Sequence, residues 1–341
     1  MSKKVVTFGE IMLRLAPEGY SRFVQADKMT SLYGGAEANV AVSLSNYGFD
    51  AKFVTKVPAH EIGQAAVNSV RKFGVDTSAI VRGGDRLGIY YLEKGASQRP
   101  SKVVYDRAGS SFANSVEGEY NWEEIFEGVE WFHFTGITPA VSPELATLCI
   151  AACKAAKAAG AQISCDLNYR NKLWSKAEAQ ETMSIICEYV DVCIANEEDA
   201  ADVFGIHAAN TDVTTGTVNH AGYEDVAKQL TEKFGFSKVA ITLRESISAS
   251  ENNWSAMLYT EGKSYFSKKY RMTIVDRVGG GDSFGSGLIC ASLNELDAQG
   301  TIEFAVAASC LKHSIEGDYN LVTADEVAKL AGGDASGRVQ R

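Results

Sequence analysis

The fold of this chain is decided by the stretch Asp276-Arg-Val-Gly-Gly-Gly-Asp-Ser-Phe-Gly-Ser-Gly-Leu-Ile-Cys290. A strand-like segment, 272–275, precedes its glycines, and a segment with the composition of a helix, 285–294, overlaps its end. Consecutive glycines before a helix let backbone N–H groups point toward an anion, and the helix dipole adds to the attraction. The stretch is not a Walker A loop, since no Gly-Lys-Ser/Thr follows, and it lacks the G-x-G-x-x-G spacing of a nicotinamide dinucleotide site. It therefore predicts a different kind of anion site between a strand and a helix.

Asp282 follows these glycines at a position suited to a phosphate. Two interpretations are open from this segment alone. The carboxylate can cap the helix by accepting N–H bonds, or it can be the base that orients an attacking hydroxyl group beside a phosphate undergoing transfer. Phosphoryl transfer through a loose transition state depends on positioning more than on a strong base, so an Asp near a helix N-terminus would suffice.

Outward from this stretch, short β-branched runs alternate with longer Ala-rich or amphipathic segments. This alternation predicts βαβ units and an α/β fold with a parallel sheet covered on both faces. The predicted strands are 5–8, 52–57, 131–134, 161–165, 192–195 and 238–243, and the predicted helices are 36–47, 63–73, 143–159, 176–188, 221–234 and 285–294.

Two insertions interrupt this rhythm, at 11–33 and 87–107. Each contains two strand-like runs around a turn, so each is typical of a hairpin. Two such hairpins can pair into a small second sheet, and we expect that sheet to be a lid over the core. The predicted core is then 1–10, 34–86 and 108–331, and residues 332–341 are predicted to be a flexible tail.

The charge balance disfavours several partners. The 341 residues include 33 Lys and Arg and 43 Asp and Glu, for a net charge of −10. An acidic protein has no general attraction for nucleic acid or anionic lipid. No apolar run is long enough to span a membrane and no secretory signal is apparent, so the sequence predicts a cytoplasmic protein with small-molecule ligands.

Two motifs together resemble the ribokinase-like (PfkB) carbohydrate kinases. They are Gly34-Gly35-Ala-Glu-Ala-Asn39-Val-Ala41 and the stretch from Asp276 to Phe284, and the resemblance covers nearly the whole chain. Within the family, Tyr105-Asp-Arg107, Asp166-Leu-Asn-Tyr-Arg170 and Gly317-Asp318 are most similar to 2-keto-3-deoxygluconate kinases. The resemblance implies a Rossmann-like three-layer core with a small β-sheet lid. It also implies transfer of the ATP γ-phosphate to the 6-hydroxyl of 2-dehydro-3-deoxy-D-gluconate.

The same resemblance implies roles for individual residues. Asp282 would be the base, and Gly279, Gly280 and Gly281 would stabilise the transferred phosphate. Substrate contacts would come from Gly34, Gly35, Asn39, Tyr90, Tyr105, Arg107, Arg170, Asp282 and Asp318. Nucleotide contacts would come from Asn168, Asn196, Thr242, Arg244, Gly279 and Gly281.

Metal ions are implied at two places. Mg²⁺ would accompany ATP near Asn196-Glu-Glu-Asp199, where this chain departs from the family's Asn-x-x-Glu by ending in Asp. The shorter carboxylate can still reach a water on Mg²⁺, so Glu198 and Asp199 are the expected outer ligands, with Glu197 as an alternative. A monovalent cation such as K⁺ is implied at the loop around Asp276.

The residues themselves leave several points open. Asn39 lies one turn into an apolar helix and needs a partner, either a sugar hydroxyl or a buried carbonyl. Asp318 can contact the sugar or simply stabilise a turn beside Gly317. Arg277 can add positive charge near the nucleotide or face solvent. An Arg after a parallel strand, such as Arg170, can bind a substrate carboxylate in bidentate fashion, and Tyr105 and Arg107 would share one strand face.

Rival functions remain at this stage. A related kinase acting on fructose or 5-dehydro-2-deoxygluconate fits the same motifs. A non-catalytic sensor of sugar or nucleotide on the same fold is disfavoured by the intact Gly-Gly-Gly-Asp, since a sensor does not need the base. Exposed lid edges could pair with another subunit, which predicts a homo-oligomer.

Overall fold

The protein is described here by a computed structural model that covers residues 2–196, 198–207, 220–334 and 337. The strands in these residues are, in chain order, β1 (Lys4–Phe8), β2 (Met12–Pro17), β3 (Met29–Gly34), β4 (Asp50–Val57), β5 (Ile80–Arg82), β6 (Ile89–Glu93), β7 (Lys102–Asp106), β8 (Trp131–Thr135), β9 (Gln162–Asp166), β10 (Val192–Ala195), β11 (Lys238–Ser246), β12 (Glu251–Thr260), β13 (Lys263–Phe266) and β14 (Tyr270–Thr273). The helices in the same residues are α1 (Ala36–Asn46), α2 (Glu61–Arg71), α3 (Trp122–Ile125), α4 (Ile137–Val141), α5 (Pro143–Ala158), α6 (Lys176–Ile186), α7 (Asp199–Phe204), α8 (His220–Phe234), α9 (Gly280–Leu293), α10 (Ala298–Lys312) and α11 (Ala324–Ala331).

Most strands form one large sheet in the order β13-β12-β11-β10-β9-β8-β1-β4-β5, with β14 also paired to β12. From β11 to β5 every neighbouring pair is parallel, as the alternation of strands and helices predicts. The far edge differs, because β12, β13 and β14 are antiparallel to their neighbours. The predicted parallel sheet therefore continues into an antiparallel edge that the sequence pattern did not indicate. The hairpin between β12 and β13 turns through Glu261 and Gly262, both at positive φ (52° and 74°), a geometry that Glu rarely signals in a sequence.

Two apolar cores lie on opposite faces of the large sheet. Val5 packs in one core and Val6 in the other, because successive side chains of a strand point to opposite faces. One core includes side chains of α5, α6 and α8, and the other includes side chains of α1, α2, α9, α10 and α11. The result is the predicted three-layer α/β core. In the described residues, no helix combines the length and apolarity needed to cross a lipid bilayer.

A separate four-stranded sheet, in the order β3-β2-β6-β7, comes from the two inserted segments. The hairpins join through the parallel pair β2–β6, which places Arg14 beside Tyr90. Met12, Ala16, Tyr90 and Leu92 form a small apolar core of their own. The predicted fold class, an α/β core with a small second sheet, is confirmed. The division of the chain into core and lid stays a prediction, as does the tail, of which only 332–334 and 337 are described.

One helix begins earlier than predicted. The sequence pattern places a helix over 285–294, whereas α9 runs over Gly280–Leu293. Gly279 has a left-handed conformation (φ 82°, ψ 0°) and is the N-cap, so Gly280, Gly281 and Asp282 form the first helical turn. Glycines have poor helix propensity, which hid this turn from a prediction based on composition. The correction moves Asp282 from a loop onto a rigid helix.

Candidate active site

A cleft of about 1410 Å³ lies between the small sheet and the carboxyl ends of β9 and β10. In open α/β sheets this end of the strands is where ligands bind. Three predicted site residues, Gly34, Glu198 and Asp276, do not line it. The lining includes the other predicted site residues: Gly35, Asn39, Tyr90, Tyr105, Arg107, Asn168, Arg170, Asn196, Asp199, Thr242, Arg244, Gly279, Gly280, Gly281, Asp282 and Asp318.

The glycine turn before α9 is built for close approach. A Cβ on Gly279 would lie 2.0 Å from the carbonyl oxygen of Asp318, and one on Gly280 would lie 2.4 Å from Cε1 of His313. A Cβ on Gly281 would meet no heavy atom within 4 Å, so this residue faces open space. The first N–H groups of a helix lack intrahelical acceptors. The N-terminus of α9 can therefore offer N–H donors and its dipole to an anion in the cleft.

Asp282 lies at the third position of α9 and points to α1. Its Oδ2 accepts a hydrogen bond of 2.7 Å from Nδ2 of Asn39. The N-cap is Gly279, so the interpretation of Asp282 as the helix cap was wrong. Burial raises the pKa of Asp282 to about 7, although the bond from Asn39 opposes the shift. Asn39 therefore holds the Asp282 carboxyl in position, and its pKa is close to neutral pH. Within the described residues, the fold engages one of its two carboxylate oxygens.

Asn39 satisfies its amide in a way that neither open alternative included. Its Nδ2 donates to Asp282, and its Oδ1 accepts from the backbone N–H of Gly35 at 3.4 Å. Asn39 therefore holds the predicted base relative to the glycine pair that begins α1. A contact between Asn39 and a sugar hydroxyl stays a prediction.

Two acidic residues beside Asp282 were missed as site residues. Asp166 ends β9 and lines the cleft, and no donor in the described residues reaches its carboxylate. Burial raises the pKa of Asp166 well above its usual range, and the charges of Asp199 and Asp282 add to this, while Arg170 opposes it. Glu37 is buried and accepts hydrogen bonds from Thr135 and Thr138, so it is held by the fold. Both lie inside quoted motifs, and their positions were the signal that could have identified them.

The Asn196–Asp199 segment forms a closed turn. Asp199 is buried, and its two carboxylate oxygens accept the N–H groups of Tyr169 (3.1 Å) and Asn196 (3.0 Å). Oδ1 of Asn196 accepts in return from Glu198 and Asp199. Glu198 is exposed, and Glu197 lies outside the described residues. In the described ranges, no three His, Cys, Asp or Glu side chains converge to hold a metal ion by themselves.

The two arginines predicted to read the substrate differ in their partners. Arg107 directly follows β7, its guanidinium lies 5.9 Å from the centroid of the Tyr105 ring on the same side of the chain, and it pairs with the buried Glu10. Arg170 is exposed, and the hydrogen bond it makes within the described residues is a long one, 3.4 Å, to the carbonyl of Tyr169. It pairs with no carboxylate there. The pKa values of Asp166, Asp199 and Asp282 are all raised overall, and the positive charge of Arg170 opposes each rise, so Arg170 lies near all three.

A buried ionic cluster lies beside the glycine turn. We call Arg14, Asp276, Asp318 and Tyr90 the Arg14 cluster. Arg14 is 1% exposed and donates to Asp318 and to Asp276, each at 2.6 Å, and the Tyr90 hydroxyl also donates to Asp318. Burial lowers the pKa of Arg14, but the two carboxylates outweigh it and raise the value overall. Both oxygens of Asp318 are therefore occupied, and sequence reasoning missed Arg14 because no motif contains it.

Gly34 is required by this cluster. A Cβ at Gly34 would lie 2.0 Å from Oδ2 of Asp318, so any other residue would displace that carboxylate. Gly34 does not line the cleft, so it would affect a bound ligand through the position of Asp318.

Two neighbouring cations, Arg244 and Arg277, lie on the wall of the cleft that contains the end of β11. Arg277 lines the cleft and donates to the carbonyl of Ala249 at 2.9 Å, which favours the first of its two interpretations over a solvent-facing one. Burial and the nearby charge of Arg244 lower the pKa of Arg277. Thr242 is buried beside them on β11. Asn168, which follows β9 and also lines the cleft, has a left-handed backbone (φ 39°), which Asn tolerates better than most residues.

Known proteins are similar to this chain over nearly its full length. A family model described as pfkB family carbohydrate kinase matches residues 2–324. A 2-dehydro-3-deoxygalactonokinase of Haloferax volcanii is 31% identical, over 98% of this chain and 99% of the relative. A 2-dehydro-3-deoxygluconokinase of Bacillus subtilis is 28% identical, over 97% and 96%.

Solved structures agree with these relatives. The crystal structure of 2-dehydro-3-deoxygluconokinase from Thermotoga maritima has a TM-score of 0.93 and 52% identity, over 98% of this chain and 99% of that one. An Escherichia coli protein crystallised with ATP and Mg²⁺ has a TM-score of 0.81 but 18% identity, over 97% and 99%, and it shows the fold alone.

Proposed function

The chain belongs to the pfkB family of carbohydrate kinases, and from this premise we propose that it transfers the γ-phosphoryl group of ATP to the 6-hydroxyl of 2-dehydro-3-deoxy-D-gluconate. The observation that carries the proposal is the carboxylate of Asp282, fixed by Asn39 in the first turn of α9 beside the glycine turn. The similarity to the Thermotoga maritima 2-dehydro-3-deoxygluconokinase supports the choice of substrate.

Asp282 is the base in this proposal. The oxygen of the 6-hydroxyl attacks the γ-phosphorus, the bond from that phosphorus to the β–γ bridging oxygen breaks, and ADP leaves with the electron pair. The hydroxyl proton passes to the carboxylate of Asp282. A pKa of about 7 suits this role, since the group can both accept and release a proton near neutral pH.

The glycine turn and the N-terminus of α9 stabilise the charge on the transferred phosphoryl group. Backbone N–H groups from Gly279 to Gly281 are the proposed donors. On the nucleotide side we assign Asn168, Asn196, Thr242 and Arg244, and we add Arg277 because it lines the cleft beside Arg244.

An acidic sugar suits the other half of the cleft. The guanidinium of Arg170 pairs with no carboxylate of the described residues, and it can bind a substrate carboxylate in bidentate fashion. Arg107 contributes less to binding the substrate carboxylate, because its guanidinium is already paired with Glu10. The residues proposed to position the sugar are Gly34, Gly35, Asn39, Tyr90, Tyr105, Arg107, Arg170 and Asp318, of which Gly34 and Asp318 act through the Arg14 cluster. The small sheet would exclude water that could otherwise accept the phosphoryl group.

Mg²⁺ is the proposed companion of ATP. Its preference for water and phosphate oxygens, with one or two carboxylates, fits an acidic wall on which the described residues form no complete ligand set. Asp166 has a free carboxylate on that wall, and Asp199 and Glu198 can act through water. When bound, Mg²⁺ would neutralise charge on the β- and γ-phosphates. The homo-oligomer formed through the small sheet stays a prediction.

The first experiment is a coupled ADP-release assay with Mg-ATP, comparing kcat/KM across a panel. The panel contains 2-dehydro-3-deoxygluconate, 2-dehydro-3-deoxygalactonate, gluconate, fructose, ribose, 5-dehydro-2-deoxygluconate and adenosine. We expect kcat/KM for 2-dehydro-3-deoxygluconate to exceed that for the neutral sugars by about two decades. The reason is that a contact between an Arg side chain and a substrate carboxylate contributes about 1.5–3 kcal/mol.

The galactonate compound tests a second candidate function. It differs in the configuration at C4, and the Haloferax volcanii relative is named for it. A preference for it would keep the mechanism and change the substrate. A preference for fructose or another neutral sugar would overturn the carboxylate assignment, and no turnover on any compound would favour a non-catalytic sensor.

A further inference from the structure

Lys312, the last residue of α10, has an ammonium group buried inside the protein. Its exposed fraction is 0%, and Nζ donates to two backbone carbonyls, those of Asp276 (3.4 Å) and Ile315 (3.1 Å). Burial lowers its pKa to about 8, while the charges of Asp276 and Asp318 oppose the shift. A buried lysine is costly unless its charge is used, so its surroundings are informative.

This ammonium lies directly beneath the glycine turn. A Cβ on Gly279 would lie 3.2 Å from Cε of Lys312. The backbone around Asp276 is tied to the end of α10 by a second set of contacts, since the N–H groups of Val275 and Asp276 donate to the carbonyl of His313 at 2.8 and 3.3 Å. Lys312 thus joins the strand that enters the anion site to the helix end behind it.

The charges around Lys312 are already balanced. Arg14 and Lys312 contribute two buried positive charges, and Asp276 and Asp318 contribute two negative ones. The carboxylate of Asp276 is fully engaged by Arg14, Val278 N–H and Gly317 N–H. Lys94 adds a third positive charge, 3.9 Å from Asp276, and Glu316, 2.8 Å from Lys94, adds a third negative one.

A monovalent metal ion does not fit this loop. Such an ion needs several carbonyl or carboxylate oxygens in place of its hydration shell. Here the carbonyl of Asp276 already accepts from Lys312, and both oxygens of its carboxylate already accept from donors of the protein. The K⁺ predicted at the Asp276 loop would also add a positive charge to a cluster in which the charges are already balanced.

We propose that the ammonium group of Lys312 is a built-in monovalent cation that positions the glycine turn, so that the chain needs no K⁺. Lys312 does not line the cleft, so it is a positioning residue. The activity arm of its test rests on the proposed kinase function, whereas the stability arm does not.

The test compares KCl with tetramethylammonium chloride at equal ionic strength. For the natural chain we expect the same kcat/KM and the same melting temperature in both salts. Lys312→Met keeps the length of the side chain without the charge, and we expect about a 100-fold loss of kcat in tetramethylammonium, the usual cost of a displaced site. We expect KCl or NH4Cl to restore part of that loss and to raise the melting temperature of the variant.

Lys268→Met is the matched control. Its ammonium also donates to a backbone carbonyl, that of Ala331 at 2.8 Å, but at the surface. It should lose no turnover and show no preference between salts.

Activation of the natural chain by K⁺ of about tenfold or more, the usual size of coupling between two sites, would overturn the proposal. So would a loss in Lys312→Met that neither ion relieves. If Lys312→Met does not fold, the salt comparison on the natural chain decides alone. If no sugar is turned over, melting temperatures and calorimetric binding of Mg-ATP in the two salts still decide.

Discussion

Asp282 and Asp318 border the same cleft, and they differ in how many of their oxygens the protein uses. One donor, Asn39, reaches Asp282, and the described residues leave Oδ1 open to the cleft. Arg14 and Tyr90 together engage both oxygens of Asp318. Asp318 is buried and Asp282 is partly buried, and desolvation raises the pKa of each. The difference teaches that the position of a carboxylate at a cleft does not decide its role, because an engaged one can only organise its neighbours.

The largest effect is expected at the open carboxylate. Asp282→Asn should reduce kcat about 1,000-fold, within the range of a lost general base, while leaving the melting temperature unchanged or higher, since a partly buried carboxylate is replaced by a neutral amide. Asp325→Asn, in the exposed first turn of α11, is the control and should keep full activity. Turnover near that of the natural chain would remove Asp282 from the role of base.

The engaged carboxylates should respond in stability instead. Arg14→Met leaves Asp276 and Asp318 buried without their shared cation, which should lower the free energy of unfolding by about 3–5 kcal/mol. Arg22→Met removes a half-exposed partner of Glu93 on the same small sheet and should cost about 1 kcal/mol or less. Urea titrations measure both, and equal losses would mean that the Arg14 cluster does not support the fold.

The arginines extend the comparison to the substrate. Arg170→Ala should raise KM for the sugar acid about 10- to 100-fold, because the proposed contact between the guanidinium and the substrate carboxylate is lost. Arg107→Ala should raise it less, since Glu10 already balances that guanidinium. Arg170→Lys is expected to recover part of the affinity but not the bidentate geometry. Steady-state kinetics with each variant decide this, and a larger effect at Arg107 would reverse the assignment.

The last expected effect is a change in the pH dependence of stability. An unfolded Asp titrates near about 3.9, whereas burial raises the pKa of Asp282 to about 7 in the folded chain. Between these values the folded state binds more protons, so the contribution of Asp282 to stability falls as pH rises from about 4 to about 7 and is constant above.

Asp282→Asn should remove that slope. The difference in unfolding free energy between the natural chain and this variant, measured at pH 5 and pH 7, gives the contribution of Asp282 together with its effect on the titration of Asp166, because Glu37, Asp166 and Asp199 are common to both. The same pH dependence in the two proteins would show that Asp282 titrates in its usual range.

Much of the fold was predictable because it is local in origin. The β-branched runs and the amphipathic segments between them indicated the parallel strands and their crossover helices. The antiparallel edge at β12 to β14 was not predicted, since Glu261-Gly262 lacks the usual composition of a hairpin turn. The first turn of α9 was missed because it contains glycines, which have poor helix propensity. The fold retains them because they allow close approach at the cleft.

The sequence by itself determined the fold class, the family and the candidates for catalysis, since motifs such as Gly-Gly-Gly-Asp join backbone geometry and chemistry within a few residues. Only the tertiary structure decided which charged groups are engaged. Arg14 donates to Asp318, 304 positions away in the chain. Lys312, at the end of α10, donates to the carbonyl of Asp276. No periodicity or spacing encodes such pairs. Their partners are chosen by where the packed layers bring charges together out of water, where an unpaired charge is costly.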